Sequence, residues 1–172
     1  FSAAFAKNVA STSSGVVHFG PSGPGGIYAT SLSGAATTTR FYTVTNVTPS
    51  PFTWHWSQVG KVGLGDVELS EDGSTLYTVN LYAHELVAVP ISGNPPTAGS
   101  ATTTSLPQPA NCEASATHPF ALAVKGDKLF IGMVCGGEGS NPRFAYVYQY
   151  DGARFELALG FPLDYERARS GS

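Results

Sequence analysis

The chain has 172 residues, 42% of them hydrophobic, which is enough to bury one core and excludes an intrinsically disordered segment. Charged side chains make up only 12% and the net charge is -3 with no basic run, which argues against a nucleic-acid surface or an anionic-membrane patch. No apolar run approaches the roughly 18 to 20 residues that cross a bilayer, so no membrane span is expected.

Abundant Gly, Pro, Ser and Thr favour short strands and many turns, and the dominant hydrophobic period is two, not 3.6. The first residue is Phe1 and no signal-peptide pattern follows, so the reading is a processed or truncated product. "FSAAFAKNV", residues 1–9, reads as the second strand of a unit whose first strand is missing. "GGIYATSL" and "TTTRFYTV" read as its third and fourth strands. Asn46 opens "NVT", an N-glycosylation acceptor pattern and a point of attachment for glycans in an exported protein. Beyond it, "PFTWHWSQ" gathers Phe52, Trp54 and Trp56. Flat aromatic faces stack on sugar rings and anchor protein interfaces, so these three form a candidate ligand or interface patch. In the alternative reading Trp54 and Trp56 point inward together and fill a gap between sheets.

Three antiparallel strands follow within residues 62–91. In "DVELS" Val67 and Leu69 alternate with Asp66, Glu68 and Ser70, and "EDGS" supplies an Asp-Gly turn that tolerates positive φ. "TLYTVNL" is a β-branched and aromatic run, "YAHE" turns the chain, and "LVAVPI" makes a third strand that Pro90 confines to a position with a free N–H edge. "NPPTAGSATTTSLPQP", Asn94 to Pro109, reads as a stiff extended connection leading to the next unit, with the fourth strand after it. Its threonines, like those of "ATTTR", suit either O-glycosylation or exposed outer strands.

Cys112 and Cys135 lack the C-x-x-C spacing of a redox or zinc site and read as one disulfide, which points outside the cytosol; two separate free thiols are the alternative. Between and beyond them "PFALAVKGDKLFIGMVC", "FAYVYQYD" and "ARFELALGF" repeat the strand-turn-strand grammar. Laying Leu76 to Val79 on Leu129 to Gly132, and Val87 to Val89 on Ala145 to Val147, gives two full units and a partial one, at about residues 62–110, 118–165 and 1–50. The fold expected is all-β, a partial β-propeller of four-stranded antiparallel blades, with a β-sandwich as the alternative.

"KVGLGDVELSEDGSTLYTVNL", "LVAVPI", "HPFALAVKGDKLFIGMVC" and "FAYVYQYD" with "FELALGFPLDY" resemble a propeller region of large, multidomain, adhesin-like proteins secreted to bacterial cell surfaces. "FSAAFAKNV" and "HFGPSGPGGIYATSL" resemble an earlier blade, although "NVASTSSGVVHFG" replaces a tighter turn and "ARSGS" breaks off before a further blade. The resemblance implies an extracellular or cell-surface structural or binding module without catalysis, suited to adhesion, scaffolding or filament assembly. Open blade edges, whose unpaired N–H and C=O rows recruit another strand, point to other chains or further blades as partners, in a homo-oligomer or polymer.

A competing class is the propeller hydrolase or lactonase, which holds a divalent metal with converging oxygen ligands. Asp66, Glu68, Asn80 and His118 are the candidates for such a site, and the "SEDGS" loop lacks the D-x-D-x-D-G calcium series. His18, His55, His84 and His118 are spread without H-x-x-x-H or H-E-x-x-H spacing, and no G-x-S-x-G elbow accompanies them. No catalytic residue, metal or cofactor is therefore assigned from sequence.

Overall fold

The computed structural model describes residues 2–3, 21–31, 35–52, 58–136 and 143–164. Trp54, Trp56, His18, His55, most of "FSAAFAKNV" and the "ARSGS" tail lie outside the described residues. The fold is all-β and every strand pair is antiparallel. Among the described residues there is no α-helix; single 3-10 turns at Gly23–Gly25 and Ala114–Ala116 lead into strands.

Three sheets are formed in chain order. The first joins β1 (Ser2–Ala3), β2 (Gly26–Ser31) and β3 (Thr37–Thr43). In the second, β4 (Leu64–Leu69), β5 (Thr75–Asn80) and β6 (Glu85–Ser92) form a meander, and β7 (Thr97–Ala98) and β8 (Thr102–Ser105) both pair with β6. The third is a four-stranded meander of β9 (Thr117–Lys125), β10 (Lys128–Cys135), β11 (Phe144–Tyr150) and β12 (Phe155–Pro162).

Several expectations change in detail. Of residues 1–9, the described strand is Ser2–Ala3 alone, and it pairs with Tyr28 and Ile27 of β2. The stretch Asn94 to Pro109 is more than a connection: it folds back as β7 and then as β8, the second sheet's outer strand, whose Thr102–Ser105 align with Ala88–Glu85. The triple threonines of residues 37–39 and 102–104 thus both lie on outer strands. Pro90 is not on an edge strand; it falls where β6 changes outer partner, between the last β8 pair at Ala88 and the first β7 pair at Ile91. Its missing N–H therefore breaks no ladder bond there.

The unit-to-unit alignment also shifts. Leu76 faces Leu69 on one side and Val89 on the other, while Leu129 faces Val124 and Tyr150. Val89 therefore corresponds to Tyr150, three residues beyond the Val147 that sequence similarity had suggested. A slip by an odd number exchanges the two faces of a strand, so register corrects which side chains are equivalent.

Two cores sit between successive sheets. Ile27, Val44 and Val47 join Leu64, Leu76, Val87 and Val89 between the first and second sheets. Val79, Leu81 and Leu86 join Leu122, Leu129, Ile131, Met133 and Tyr148 between the second and third. The middle sheet is consequently buried on both faces, which explains why β5 and β6 read as near-continuous hydrophobic runs rather than as strict alternation. Along the series β1 lies against β4 and β4 against β9. The described residues do not close into a ring. Gly65 permits the close approach of β4 to β9: a Cβ there would lie 2.9 Å from the Phe120 carbonyl oxygen.

Thr78 is the polar exception in this interior. It is fully buried, and among the described residues its hydroxyl has no hydrogen-bond partner. The equivalent position in the third sheet is Ile131. Thr78→Val keeps the shape and removes an unsatisfied hydroxyl, so it is expected to raise the unfolding free energy by about 1 kcal/mol, read from urea denaturation midpoints.

Candidate functional site

At the turn end of the second and third sheets, three hairpin loops meet around a cleft of about 240 Å³. Ser70, Glu71 and Asp72 come from the β4–β5 turn, Gly126, Asp127 and Lys128 from the β9–β10 turn, and Asp151 and Gly152 from the β11–β12 turn. Tyr77, Val124, Leu129 and Tyr150 form its apolar wall. Four carboxylates and one lysine line so small a space because each turn follows the same rule. Asp and Gly are favoured where the chain reverses: Asp accepts local N–H bonds and Gly adopts positive φ.

Three of the carboxylates, Asp72, Asp151 and Glu71, are engaged with the chain itself. Asp72 accepts the Ser70 hydroxyl at 2.6 Å, the Ser74 amide at 3.0 Å and the Ser74 hydroxyl at 2.8 Å. These donors, the Ser70 hydroxyl foremost, hold its pKa down at about 2. Gly73 beside it has φ of 70°, in agreement with the Asp-Gly turn read from sequence. The amides of Arg154 and Ala153 donate to Asp151 and lower its pKa in the same way. Glu71 reaches across the sheets to accept the Gly126 amide. Tyr150 donates its hydroxyl to the Gly152 carbonyl at 2.8 Å and stacks on Phe155. The cleft is a junction of turns, and among the described residues no cluster of three or more His, Cys, Asp or Glu side chains has metal-binding geometry.

Two of the sequence-derived metal candidates, Asp66 and Asn80, are engaged in hydrogen bonds with backbone. Asp66 accepts the Val67 amide on one oxygen at 2.9 Å and, on the other, the Leu122 amide of β9 at 3.1 Å. Asn80 is buried, donates to the carbonyls of Asn46 and Thr45 at 3.1 and 3.4 Å, and accepts the Ala83 amide at 3.1 Å. Each of these side chains ties one piece of backbone to another. His118 stands at the start of β9, where burial, reinforced by the charges of Lys61 and His84, lowers its pKa against the opposing effect of the Gly136 backbone. His84, in the left-handed turn between β5 and β6 with φ of 53°, is also lowered by burial.

Both depressed imidazoles resist protons that the unfolded chain accepts below pH about 6.5. Stability is therefore full above that value and falls as the pH drops through the folded-state pKa values. Thermal unfolding followed from pH 8 to pH 5 is expected to show a declining Tm over the acidic half. His118→Gln is expected to flatten that decline.

Cys112 and Cys135 form the disulfide, with Cα atoms 5.8 Å apart. Both are buried, and the bond ties the segment after β8 to the end of β10. Gln108 braces the same segment, donating to the Cys112 carbonyl and to the Thr117 hydroxyl. Asn46 is exposed with φ of 55°, on the loop that Asn80 grips. Of the aromatic patch only Phe52 lies among the described residues, half-buried. Sequence did not reveal the turn cleft, the part of Glu71 in it, or the role of Asp66 as a bridge between sheets. "DVELSED" contains both, but only the pairing of β4 with β5 shows that Asp66 and Glu71 point to the next sheet.

No family model matches the chain, and no solved structure matches it. It is similar to Colossin-C of Dictyostelium discoideum, 31% identical over 111 residues. That match covers 63% of this chain and 11% of Colossin-C, so the chain corresponds to a small part of a much longer protein. No helix among the described residues is long and apolar enough to cross a membrane.

Proposed function

We propose that this chain is a structural module of an extracellular or cell-surface protein, a partial β-propeller serving adhesion, scaffolding or filament assembly. The observation that carries the reading is the middle sheet, covered on both faces by neighbouring sheets in a series. Two packed sheets would suffice for a β-sandwich; three in succession, each beginning close to the preceding sheet's first strand, favour blades. Two of the polar side chains that sequence offers for a metal site, Asp66 and Asn80, hold backbone of neighbouring elements, which suits a rigid module. The buried disulfide supports an oxidising location. Similarity to a small part of a long protein supports a module that works as one part of a larger assembly.

Non-reducing peptide mapping of the native protein tests this. A Cys112–Cys135 linked peptide pair is expected in protein recovered from the cell surface or the medium. Recovery from the cytosol alone, with both thiols free, overturns the reading.

A further inference from the structure

We propose that Asn46 carries an N-linked glycan, held out from the end of the sheets opposite the turn cleft, and that only part of the protein bears it. The proposal rests on the reading of the protein as exported and names a modification of that module. Of the six asparagines, Asn8, Asn46, Asn80, Asn94, Asn111 and Asn141, only Asn46 has Ser or Thr two residues on, here Thr48, with a residue other than proline between. The fold adds what the pattern alone lacks, an acceptor amide that is free and reachable.

Asn46 is exposed, and among the described residues neither its side-chain amide nor the Thr48 hydroxyl has a hydrogen-bond partner. Its backbone, by contrast, is pinned. The Val44 amide donates to the Gly25 carbonyl at 2.9 Å, the Gly63 amide to the Val47 carbonyl at 2.8 Å, and Asn80 to the carbonyls of Thr45 and Asn46. Val44 and Val47 are buried in the core between the first and second sheets. Main chain and valines thus anchor the segment, and nothing in that anchoring uses the Asn46 side chain. Position leaves room for a bulky group. The Leu81 amide donates to the Gly63 carbonyl, so the segment lies where β4 begins and β5 ends, whereas the turn cleft lies where β4 ends and β5 begins. A glycan at this strand end leaves the cleft clear.

Asparagine has a second reason to stand here, a φ of 55°, since asparagine and glycine are the residues that best tolerate the left-handed region. Thr48 has no part in that requirement, so variants separate the two roles. In the transfer, Asn46 Nδ2 gives up a proton and bonds to the anomeric carbon of a sugar. The bond from that carbon to the pyrophosphate of a lipid-linked oligosaccharide breaks, and the lipid pyrophosphate leaves with the electron pair. Pro49 follows the tripeptide and confines Thr48 to extended backbone. That narrows the conformations the translocating chain offers to a transferase, which is why occupancy is partial.

Peptide mapping of the protein from its native source, before and after peptide-N-glycosidase, tests the proposal. The peptide spanning Asn46 is expected in two forms, one bare and one heavier by a glycan that the enzyme removes, leaving an aspartate at the attachment point. Thr48→Ala is expected to abolish the heavier form, and Pro49→Ala to raise its share. Asn46→Gly is expected to abolish it too with circular dichroism unchanged, because glycine supplies the positive φ. The native mapping needs no variant and decides even where one fails to fold. An Asn46 peptide that is bare throughout, in surface protein with its disulfide formed, overturns the proposal and leaves the module reading standing. So does a heavier form that resists the enzyme and survives Thr48→Ala, as sugars on the threonines of residues 37–39 would. Cytosolic protein with free thiols and a bare Asn46 removes the export on which both readings rest.

Discussion

Replacing Cys112 and Cys135 together by serine is expected to lower the unfolding free energy by about 3 kcal/mol, the chain-entropy value for a closed loop of about two dozen residues. The two cysteines are 23 residues apart, and the loop they close contains all of β9 and most of β10. Without the bond the unfolded chain recovers the freedom of that whole hairpin. The folded state keeps the local brace of Gln108 on Cys112 and Thr117, which holds the segment but closes no long loop. The loss should therefore fall on the third sheet. Urea unfolding of the double-serine variant against the oxidised wild type gives the magnitude. Hydrogen exchange gives the location: amides of β9 and β10 are expected to lose more protection than those of β5 and β6. An unchanged denaturation midpoint would show that the bond constrains nothing the remaining contacts do not already hold.

Strand identity was legible in the sequence because period and turn chemistry are local. Val67 and Leu69 alternate with polar neighbours, and the turn through Gly73 has the positive φ that Asp72-Gly73 announced. The disulfide was legible too, since only two cysteines are present. Register was not. Val87–Val89 and Ala145–Val147 are similar short apolar runs, and the bulge that separates Val147 from Tyr148 in the β11–β12 pairing leaves no mark in composition. β8 was hidden for another reason: Thr102–Ser105 has the look of a low-complexity linker, and only the neighbouring β6 supplies its pairing partner. The site was the least legible part. Sequence offers Asp66 and Asn80 as candidate metal ligands, but whether such groups hold a metal or hold backbone depends on what lies opposite them. Sequence lists the donors and acceptors without saying which ones meet. The cross-sheet contacts that decide it, Asp66 to Leu122 and Glu71 to Gly126, span more than 50 residues.

Asp66→Ala is expected to cost about 2 to 3 kcal/mol, because it removes a charged acceptor from two backbone amides at once, those of Val67 and Leu122. Both bonds are partly buried, so water replaces the carboxylate only in part. The Leu122 bond crosses from the second sheet to the third at the line where β4 lies against β9. Nothing in the third sheet repeats the device: the residue before Leu122, equivalent to the one before Val67, is Ala121. Among the described residues the fastening is thus shown at the junction of the second and third sheets alone. Asp66→Asn retains one carbonyl oxygen as acceptor and is expected to recover about half of the loss. The gradation from Asp through Asn to Ala separates the two roles sequence allowed. A backbone clasp follows that order in denaturant midpoints whether or not divalent metal or a chelator is present. A metal ligand instead makes Asn nearly as damaging as Ala, and makes wild-type stability fall on chelation. Measuring the three proteins with and without chelator therefore decides whether Asp66 joins sheets or holds an ion.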